Sequence, residues 1–540
     1  MPVSQHAHVF RNHRALVKKI RQRIWNFGGF FVPLQPIMRR LILFVAIALC
    51  YIVDIQAQTH FNERPKLVVG IVVDQMRWDY LGRYYNQYQE DGLKRLINQG
   101  YSCNNCLINY LPTVTAIGHT SAYTGTTPAF HGICGNVFYK NGVKISSCED
   151  HDVTTVGSDK KDASSPVNLL ATTIGDQLRL HTDFKSKVIG VSYKDRAAIL
   201  PAGRSANAAY WIDTKVGQFI SSTWYMQELP DWAKAYNAQL KKNKELQKVG
   251  KNVGLYPLCG HITADMAIAA LKGEQMGKGE ETDMLCISFS QTDVIGHEYG
   301  TRGEHTDEAY LGLDQDIAKL LKAFDEQVGE GNYLVFLTAD HGGAHNHQFM
   351  IDHKLAGGAF KWDEEYVANA ASRIAARFGL TKNVIKDCLD YRLVLDKDAI
   401  REQGVDEQAL RDGIVEELLN TPHVAFACDF KKAATAPIPA FRKERVLKGY
   451  HHDRSGDIIC MLEPGWYGFG KGSSPIGTTH GEWNPYDAHI PLLFYGWKVK
   501  HGETSREVHI TDIAPTVCHK LHIQQPNACV GEPITEVMGE

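Results

Sequence analysis

The chain has 540 residues and is 44% hydrophobic, so it is long enough to bury a large core and is not disordered by composition. Residues 1–57 carry eight Lys or Arg and one acid, which leaves 50 basic and 60 acidic residues and a net charge of about −10 on the rest. This balance argues against nucleic-acid binding as the main activity. Any anionic substrate must then be held by a local positive site, such as metal ions.

The N-terminal region has the pattern of an export signal. An apolar run at 41–53 follows Arg39 and Arg40 and precedes Ile55-Gln56-Ala57. This arrangement predicts a signal peptide over 38–57 with cleavage after its last residue, and the run is too short for a comfortable membrane span. We therefore expect a periplasmic or secreted protein with no stable membrane span after cleavage.

Residues 1–37 lie upstream of this signal, and we interpret them as an extension from a misassigned start codon. A lipid anchor on Cys50 is the alternative to a free mature protein. Leu49 before it is too large for a typical lipobox, so the soluble exported form is favoured.

Cysteine usage fits export, because 11 of the 12 cysteines follow the signal and could form up to five disulfides. Cys134 and Cys148 bracket a hairpin pattern about an Asn-Gly turn and are the best candidates for a bridge. Cys103 and Cys106 have CxxC spacing, but no second CxxC completes a zinc site. Two interpretations of Cys103 and Cys106 therefore remain: a redox-active pair, or two buried thiols.

Short apolar, β-branched runs recur along the chain, and polar residues follow them. Runs at 66–73, 187–193, 284–290 and 332–338 predict buried strands, and 490–496 predicts another. The polar residues beside them are Asp74, Lys194-Asp195-Arg196, Asp293 with His297, Asp340-His341, and His480 before the last run. Ligands of open α/β sheets bind outside the carboxyl ends of the strands, so we expect these side chains to converge.

Helical patterns at 166–181 and 307–327 lie between the strands. The alternation predicts the α/β class: a three-layer α/β/α sandwich with a mostly parallel central sheet. We expect one domain over 58–540. Two stretches lack the alternation, 197–280 and 355–478, and we predict that they are insertions that cap the active-site face.

Residues 109–136, NYLPTVTAIGHTSAYTGTTPAFHGICGN, combine a hydroxyl nucleophile with an anion site. Thr113 and Thr115 flank the start of a predicted helix, where backbone N–H groups and the helix dipole stabilise an oxyanion. The alternative is an N-cap without chemistry. We expect His119 and His131, within the same stretch, to be structural and to bind no metal.

Three carboxylates and three imidazoles form the candidate metal centre: Asp74, Asp293, His297, Asp340, His341 and His480. These oxygen and nitrogen ligands suit two zinc ions. The spacing of Asp293 and His297 places both on one face of a helical turn.

With these motifs the chain resembles the alkaline phosphatase superfamily, and closely its exported, phosphate-irrepressible alkaline phosphatases. The matching segments are VVDQMRWD (72–79), PTVTAIGHTSAYTGTTPAFHGICGN (112–136), SYKDRAAI (192–199), SQTDVIGHEYG (290–300), TADHGGAHN (338–346), GTTHGEWNPYDAHIPLLFYG (477–496) and TDIAPTVC (511–518). They span nearly all of the predicted mature chain in the order found in the family.

The resemblance implies specific roles for these residues. One Zn²⁺ would be held by Asp293, His297 and His480, and the other by Asp74, Asp340 and His341. Thr115, and not Thr113, would be the nucleophile and a metal ligand, from its distance to the Asn of the HGIxxN motif. Asn136, Lys194 and Arg196 would bind the phosphate.

The implied function is an exported di-zinc alkaline phosphatase that hydrolyses small phosphate monoesters through a phosphothreonine and scavenges phosphate. A nucleotide pyrophosphatase or phosphodiesterase shares the zinc ligands, Thr and Asn, but the Lys-x-Arg pair favours a monoester dianion. A sulfatase is disfavoured because no Cys has the context for formylglycine conversion. An inactive binding ectodomain would be expected to lack some of these residues. We make no prediction of the oligomeric state.

Overall fold

A computed structural model describes residues 63–159, 163–470 and 472–538, apart from the side chains of 363 and 364. Arg64–Glu540 forms one compact unit. The predictions for 1–37 and 38–57 lie outside the described residues. Within the described ranges, no helix has both the length and the apolar character needed to cross a membrane.

The strands are β1 (Leu67–Val73), β2 (Tyr101–Cys103), β3 (Cys106–Leu107), β4 (Val137–Lys140), β5 (Val143–Ser146), β6 (Thr155–Val156), β7 (Val188–Ser192), β8 (Ala208–Asp213), β9 (Gln218–Ser222), β10 (Asp283–Phe289), β11 (Tyr333–Thr338), β12 (Gly358–Lys361), β13 (Ile385–Leu389), β14 (Arg392–Leu395), β15 (Val424–Asp429), β16 (Ile458–Leu462), β17 (Trp466–Phe469), β18 (His489–Ile490), β19 (Leu492–Gly496), β20 (Gly502–Thr504) and β21 (Val508–His509).

The α-helices are α1 (Asp79–Arg83), α2 (Leu93–Gln99), α3 (Thr115–Thr124), α4 (Pro128–His131), α5 (Ile174–His181), α6 (Asp195–Ala202), α7 (Asp231–Leu240), α8 (Lys244–Val249), α9 (Leu258–Gly273), α10 (Gln291–Tyr299), α11 (Glu304–Val328), α12 (His347–Asp352), α13 (Ala368–Phe378), α14 (Lys397–Glu402), α15 (Glu407–Leu419), α16 (Ala440–Gly449), α17 (Pro485–Ala488) and α18 (Ile513–Lys520).

The central sheet has ten strands in the order β20-β2-β19-β11-β1-β10-β7-β8-β9-β6. From β11 to β8 the neighbouring strands are parallel. On the two flanks β19 and β9 run antiparallel to their neighbours. Helices cover both faces, which confirms the predicted α/β sandwich, although the sheet is mixed at its edges.

The strand register explains why the polar residues meet. Val73 at the end of β1 pairs with Phe289 at the end of β10, and Ser288 pairs with Ser192 at the end of β7. β19 runs the other way, so its first residue, Leu492, pairs with Thr338 at the end of β11. The segment that precedes β19 therefore reaches the same edge as the segments that follow the parallel strands.

Two local predictions differ from the structure. The helix predicted at 166–181 begins only at Ile174, because Thr173 caps it in a capping box with Asp176. The stretch 197–280, expected to lie outside the sheet, instead supplies β8 and β9 to it. Ala209, Trp211 and Ile220 in these strands are buried apolar residues.

The stretch 355–478 forms a lobe with its own four-stranded sheet, β13-β14-β16-β15, and its own hydrophobic core around Leu393, Leu410 and Ile458. It contacts the segment before Asn136, because the Arg392 guanidinium donates to the Cys134 carbonyl. The lobe thus borders one side of the candidate site.

All eleven cysteines within the described residues are free thiols, so the predicted Cys134–Cys148 bridge is wrong. The hairpin itself is present as β4 and β5. Continuing its register from Val137 opposite Ser146 brings Cys148 opposite Gly135, not Cys134. In the CxxC pair, burial raises the pKa of Cys103 to about 12, which favours the buried-thiol interpretation.

Candidate metal centre and active site

The first group of candidate ligands is fully buried and consists of Asp74, Asp340 and His341. The His341 Nδ1 lies 2.9 Å from the Gly342 carbonyl oxygen and must donate to it, because a carbonyl only accepts. The Nε2 is therefore an unprotonated acceptor, and it lies 3.5 Å from both Asp74 Oδ1 and Asp340 Oδ2. None of these three atoms has a hydrogen-bond partner.

The second group consists of Asp293, His297 and His480. The Nδ1 of His297 donates to the Thr478 carbonyl at 2.9 Å, and that of His480 to the Thr113 carbonyl at 2.7 Å. Both rings therefore present Nε2 to Asp293 Oδ1, at 3.1 and 3.6 Å. The His297 side chain is 41% exposed, so this group opens to solvent.

The two groups are neighbours, since the rings of His341 and His480 stack with centroids 3.5 Å apart. In the first group only electron-pair donors face one another, which is unfavourable unless a cation lies between them. Mixed carboxylate and imidazole ligands, with each His fixed through its other nitrogen, are the usual surroundings of zinc. The residues present therefore fit the two predicted metal ions.

Burial controls the ionisation of these groups. It lowers the pKa of His480, helped by the adjacent His341, and it lowers that of His341, so both rings are held neutral. Burial also raises the pKa of Asp74 well above its usual range, with the carboxylates of Asp293 and Asp340 adding to the effect. Neutral imidazoles and carboxylates packed this closely favour a divalent cation.

Lys194 lies between the groups. Its Nζ donates to Asp74 Oδ2 at 2.7 Å and to Asp293 Oδ2 at 2.6 Å, and its side chain is 10% exposed. The Arg196 guanidinium lies 3.7 Å from the carboxylate of its neighbour Asp195, as expected if Arg196 only formed an ion pair at the surface. Its Nε, however, is buried without a hydrogen-bond partner, so the guanidinium retains an unused donor inside the protein.

Thr115 is the first residue of α3 and is 1% exposed. Asn136 lies beside it, because its Oδ1 accepts the Ala116 N–H at 2.9 Å. Thr113 differs, since its hydroxyl donates to the Glu482 carbonyl and accepts the Gly481 N–H. The Thr113 hydroxyl is thus occupied by the backbone of the loop that carries His480.

The α3 helix packs directly on the metal-ligand loop. A Cβ on Gly118 would lie 2.1 Å from the Asp340 carbonyl oxygen, so only glycine permits this approach. His119 Nδ1 lies 2.9 Å from the Thr115 carbonyl oxygen, to which it donates, and 3.1 Å from Asp340 Oδ2. The structure therefore places the Thr115 turn beside the first ligand group.

Sequence reasoning missed several residues that hold the ligands. Gln75 contacts Asp340 and Asp293, and the carbonyls of Thr113 and Thr478 orient two histidines. Gln75 directly follows Asp74 in the VVDQMRWD segment, and that adjacency was the available signal. His131 forms hydrogen bonds with Ser121 and with the Ile133 N–H of its own region.

A further cluster of ligand types, His451, His452 and Asp453, was not predicted. The Asp453 N–H donates to His451 Nδ1, and His452 pairs with the Asp453 carboxylate. Its polar atoms therefore satisfy one another at a largely exposed position.

The chain is similar to known proteins in both sequence and fold. Residues 68–483 match the family described as type I phosphodiesterase / nucleotide pyrophosphatase. The alkaline phosphatase PafA of Elizabethkingia meningoseptica is 41% identical, over 89% of this chain and 96% of that protein. A Myroides odoratus protein named calcium-transporting ATPase is 42% identical, over 88% and 95%. The crystal structure of wild-type alkaline phosphatase PafA superposes with a TM-score of 0.84 and 40% identity, covering 88% of this chain and 99% of that one.

The chain thus belongs to the type I phosphodiesterase / nucleotide pyrophosphatase family, within the alkaline phosphatase superfamily. The fold is that of a solved alkaline phosphatase. Within this superfamily the chain is an alkaline phosphatase, a hydrolase of phosphate monoesters.

Proposed function

We propose that this alkaline phosphatase acts through Thr115 as nucleophile, with the two ligand groups each holding one Zn²⁺. The observation that carries the proposal is the unpartnered buried set of Asp74 Oδ1, Asp340 Oδ2 and His341 Nε2 next to the first turn of α3. Acceptors packed in this way are stabilised by a bound cation, and a hydroxyl at a helix N-terminus is placed to accept negative charge.

Two zinc ions, when bound, would lower the pKa of the Thr115 hydroxyl and stabilise the leaving oxygen. The Thr115 oxygen attacks phosphorus, the bond from phosphorus to the ester oxygen breaks, and the alcohol leaves. Water then attacks the phosphothreonine and releases inorganic phosphate. Two in-line displacements retain configuration at phosphorus.

Asn136, Lys194 and Arg196 would bind the phosphoryl oxygens. The side-chain oxygen of Asn136 already accepts a hydrogen bond from the Ala116 N–H. The side-chain NH₂ group of Asn136 is left to donate to an anion. The Lys194 ammonium lies between the ligand groups, and the buried Arg196 Nε offers another donor. Together these cations match a monoester dianion better than a singly charged diester.

The solvent-open edge at His297 supports a broad range of small substrates, because the alcohol portion can extend into water. Phosphate release from a panel of alkyl and aryl monoesters and their methyl diesters tests this. Similar kcat/KM across the monoesters, with far slower diesters and no release in chelator, is expected. Faster diester cleavage would instead identify a phosphodiesterase.

Export to the periplasm or medium is the proposed location, supported by the predicted signal at 38–57. Expression from Met38 and from Met1, followed by cell fractionation and N-terminal sequencing, tests it. Mature protein that begins at Gln58 outside the cytoplasm is expected. Activity confined to the cytoplasm would contradict it.

A further inference from the structure

Gln75 contacts a carboxylate from each of the two ligand groups. Its backbone N–H donates to Asp340 Oδ1 at 3.2 Å, and its side-chain Nε2 donates to Asp293 Oδ1 at 2.8 Å. The amide orientation follows from chemistry, since an ionised carboxylate only accepts. One residue thus forms a hydrogen-bonded connection from one candidate zinc group to the other.

The conformation of Gln75 is unusual for a residue with a side chain. Its φ is 60°, in the left-handed region, and the residue is 4% exposed. A non-glycine residue held there costs roughly 1–3 kcal/mol, which the surrounding structure must offset. In return, the left-handed turn directs the backbone N–H at Asp340 while the side chain reaches Asp293.

The space around the side chain is shaped to its amide. A Cβ on Gly296 would lie 1.9 Å from the Gln75 Oε1, and one on Gly343 would lie 3.2 Å from its carboxamide carbon. Gly296 belongs to α10, which carries Asp293, and Gly343 follows the loop of Asp340 and His341. The glutamine therefore lies in a slot between the two elements that supply the ligands.

We propose that Gln75 is the positioning residue that fixes the Asp293 group relative to the Asp340 group, and that its side chain sets the zinc affinity chiefly of the Asp293 group. The proposal rests on the proposed di-zinc function. Asp293 Oδ1 is also the oxygen that faces the Nε2 atoms of His297 and His480. The orientation of the Asp293 carboxylate therefore decides whether these three atoms can bind one metal ion together. Outer partners of metal ligands typically change affinity by about 10- to 100-fold.

The test compares Gln75→Met, which keeps size and loses the donor, with Gln75→Gly, which also loses it but adopts a positive φ without strain. Gln291→Met is the matched control. Gln291 is fully buried near Asp293, yet neither of its side-chain polar atoms has a hydrogen-bond partner. Zinc dissociation constants come from competition with a chromophoric chelator, using zinc alone and no substrate. His297→Ala identifies the constant that belongs to the Asp293 group.

We expect Gln75→Met and Gln75→Gly to weaken zinc binding at the Asp293 group by about 10- to 100-fold and at the Asp340 group by less, because both retain the backbone N–H. Gln291→Met should bind as the wild type does. Constants for both Gln75 variants within twofold of the control would overturn the proposal, as would an equal loss at both groups. If the wild type itself binds fewer than two zinc ions, the proposed function fails instead.

Discussion

Replacing Lys194 with Met should suppress monoester hydrolysis far more than diester hydrolysis. The Lys194 ammonium lies 2.7 and 2.6 Å from carboxylates of the two ligand groups, and its side chain is 10% exposed, so its charge is poorly screened. Truncating one partner of such a desolvated charge contact costs about 2–5 kcal/mol. At about 1.4 kcal/mol per tenfold, kcat/KM for an aryl phosphate should fall roughly 30- to 4,000-fold.

Arg196→Met should have a smaller effect, at the lower end of that range. Its side chain is 26% exposed and its charge is shared with Asp195 at 3.7 Å, so solvent and the neighbour screen it more. A diester lacks the extra negative charge that both cations are proposed to meet. Its hydrolysis should therefore fall less than about tenfold in either variant.

The assay is kcat/KM for 4-nitrophenyl phosphate and methyl 4-nitrophenyl phosphate, with zinc content measured on each sample. Lys187→Met is the control, because Lys187 precedes the opposite end of β7 and bonds to the Glu274 carbonyl. Zinc content should be retained or increased in Lys194→Met, because a positive charge next to the ligands is removed. If kcat/KM fell equally for the monoester and the diester, the proposed role of Lys194 and Arg196 in binding the monoester dianion would be refuted.

Three further outcomes are expected. Chelation should abolish turnover, and zinc should restore it at two ions per chain; recovery at one ion per chain would contradict the two-group site. Gly118→Ala should destabilise the protein by about 1–3 kcal/mol, because its Cβ would overlap the Asp340 carbonyl, whereas Gly82→Ala, with open space at its Cβ, should not. Burial lowers the pKa of Lys520 from 10.5 to about 8, so between those pH values the unfolded chain binds more protons and stability should rise with pH by about 3 kcal/mol. Lys520→Met should remove that rise in thermal unfolding, and an unchanged pH profile would show that Lys520 does not cause it.

The strands that end at the site were predictable because their apolar runs are uninterrupted. Residues of β1, β10 and β11 are buried on both faces, so Asp74, Asp293 and Asp340 stood out as the first acids beyond them. His480 was harder, since it precedes a strand. It reaches the same edge only because β19 runs antiparallel to β11.

Features that depend on contacts distant in sequence were not predictable. β8 and β9 follow a helix without the expected alternation, and only the assembled sheet shows that Trp211 is buried in it. The Cys134–Cys148 prediction failed because a bridge depends on hairpin register, which spacing alone does not give. The role of Gln75 depends on its left-handed backbone conformation, which the residues next to it in the sequence do not predict.

The most direct test of the central claim is to trap the phosphorylated enzyme. Wild-type protein mixed with an aryl phosphate and quenched in acid should carry one phosphate on Thr115, located by peptide mass spectrometry. Thr115→Ala should carry none while retaining zinc, and Thr113→Ala should still be labelled, because the Thr113 hydroxyl bonds only to the backbone of the loop that carries His480. Phosphate on Thr113, or turnover undiminished in Thr115→Ala, would contradict the account.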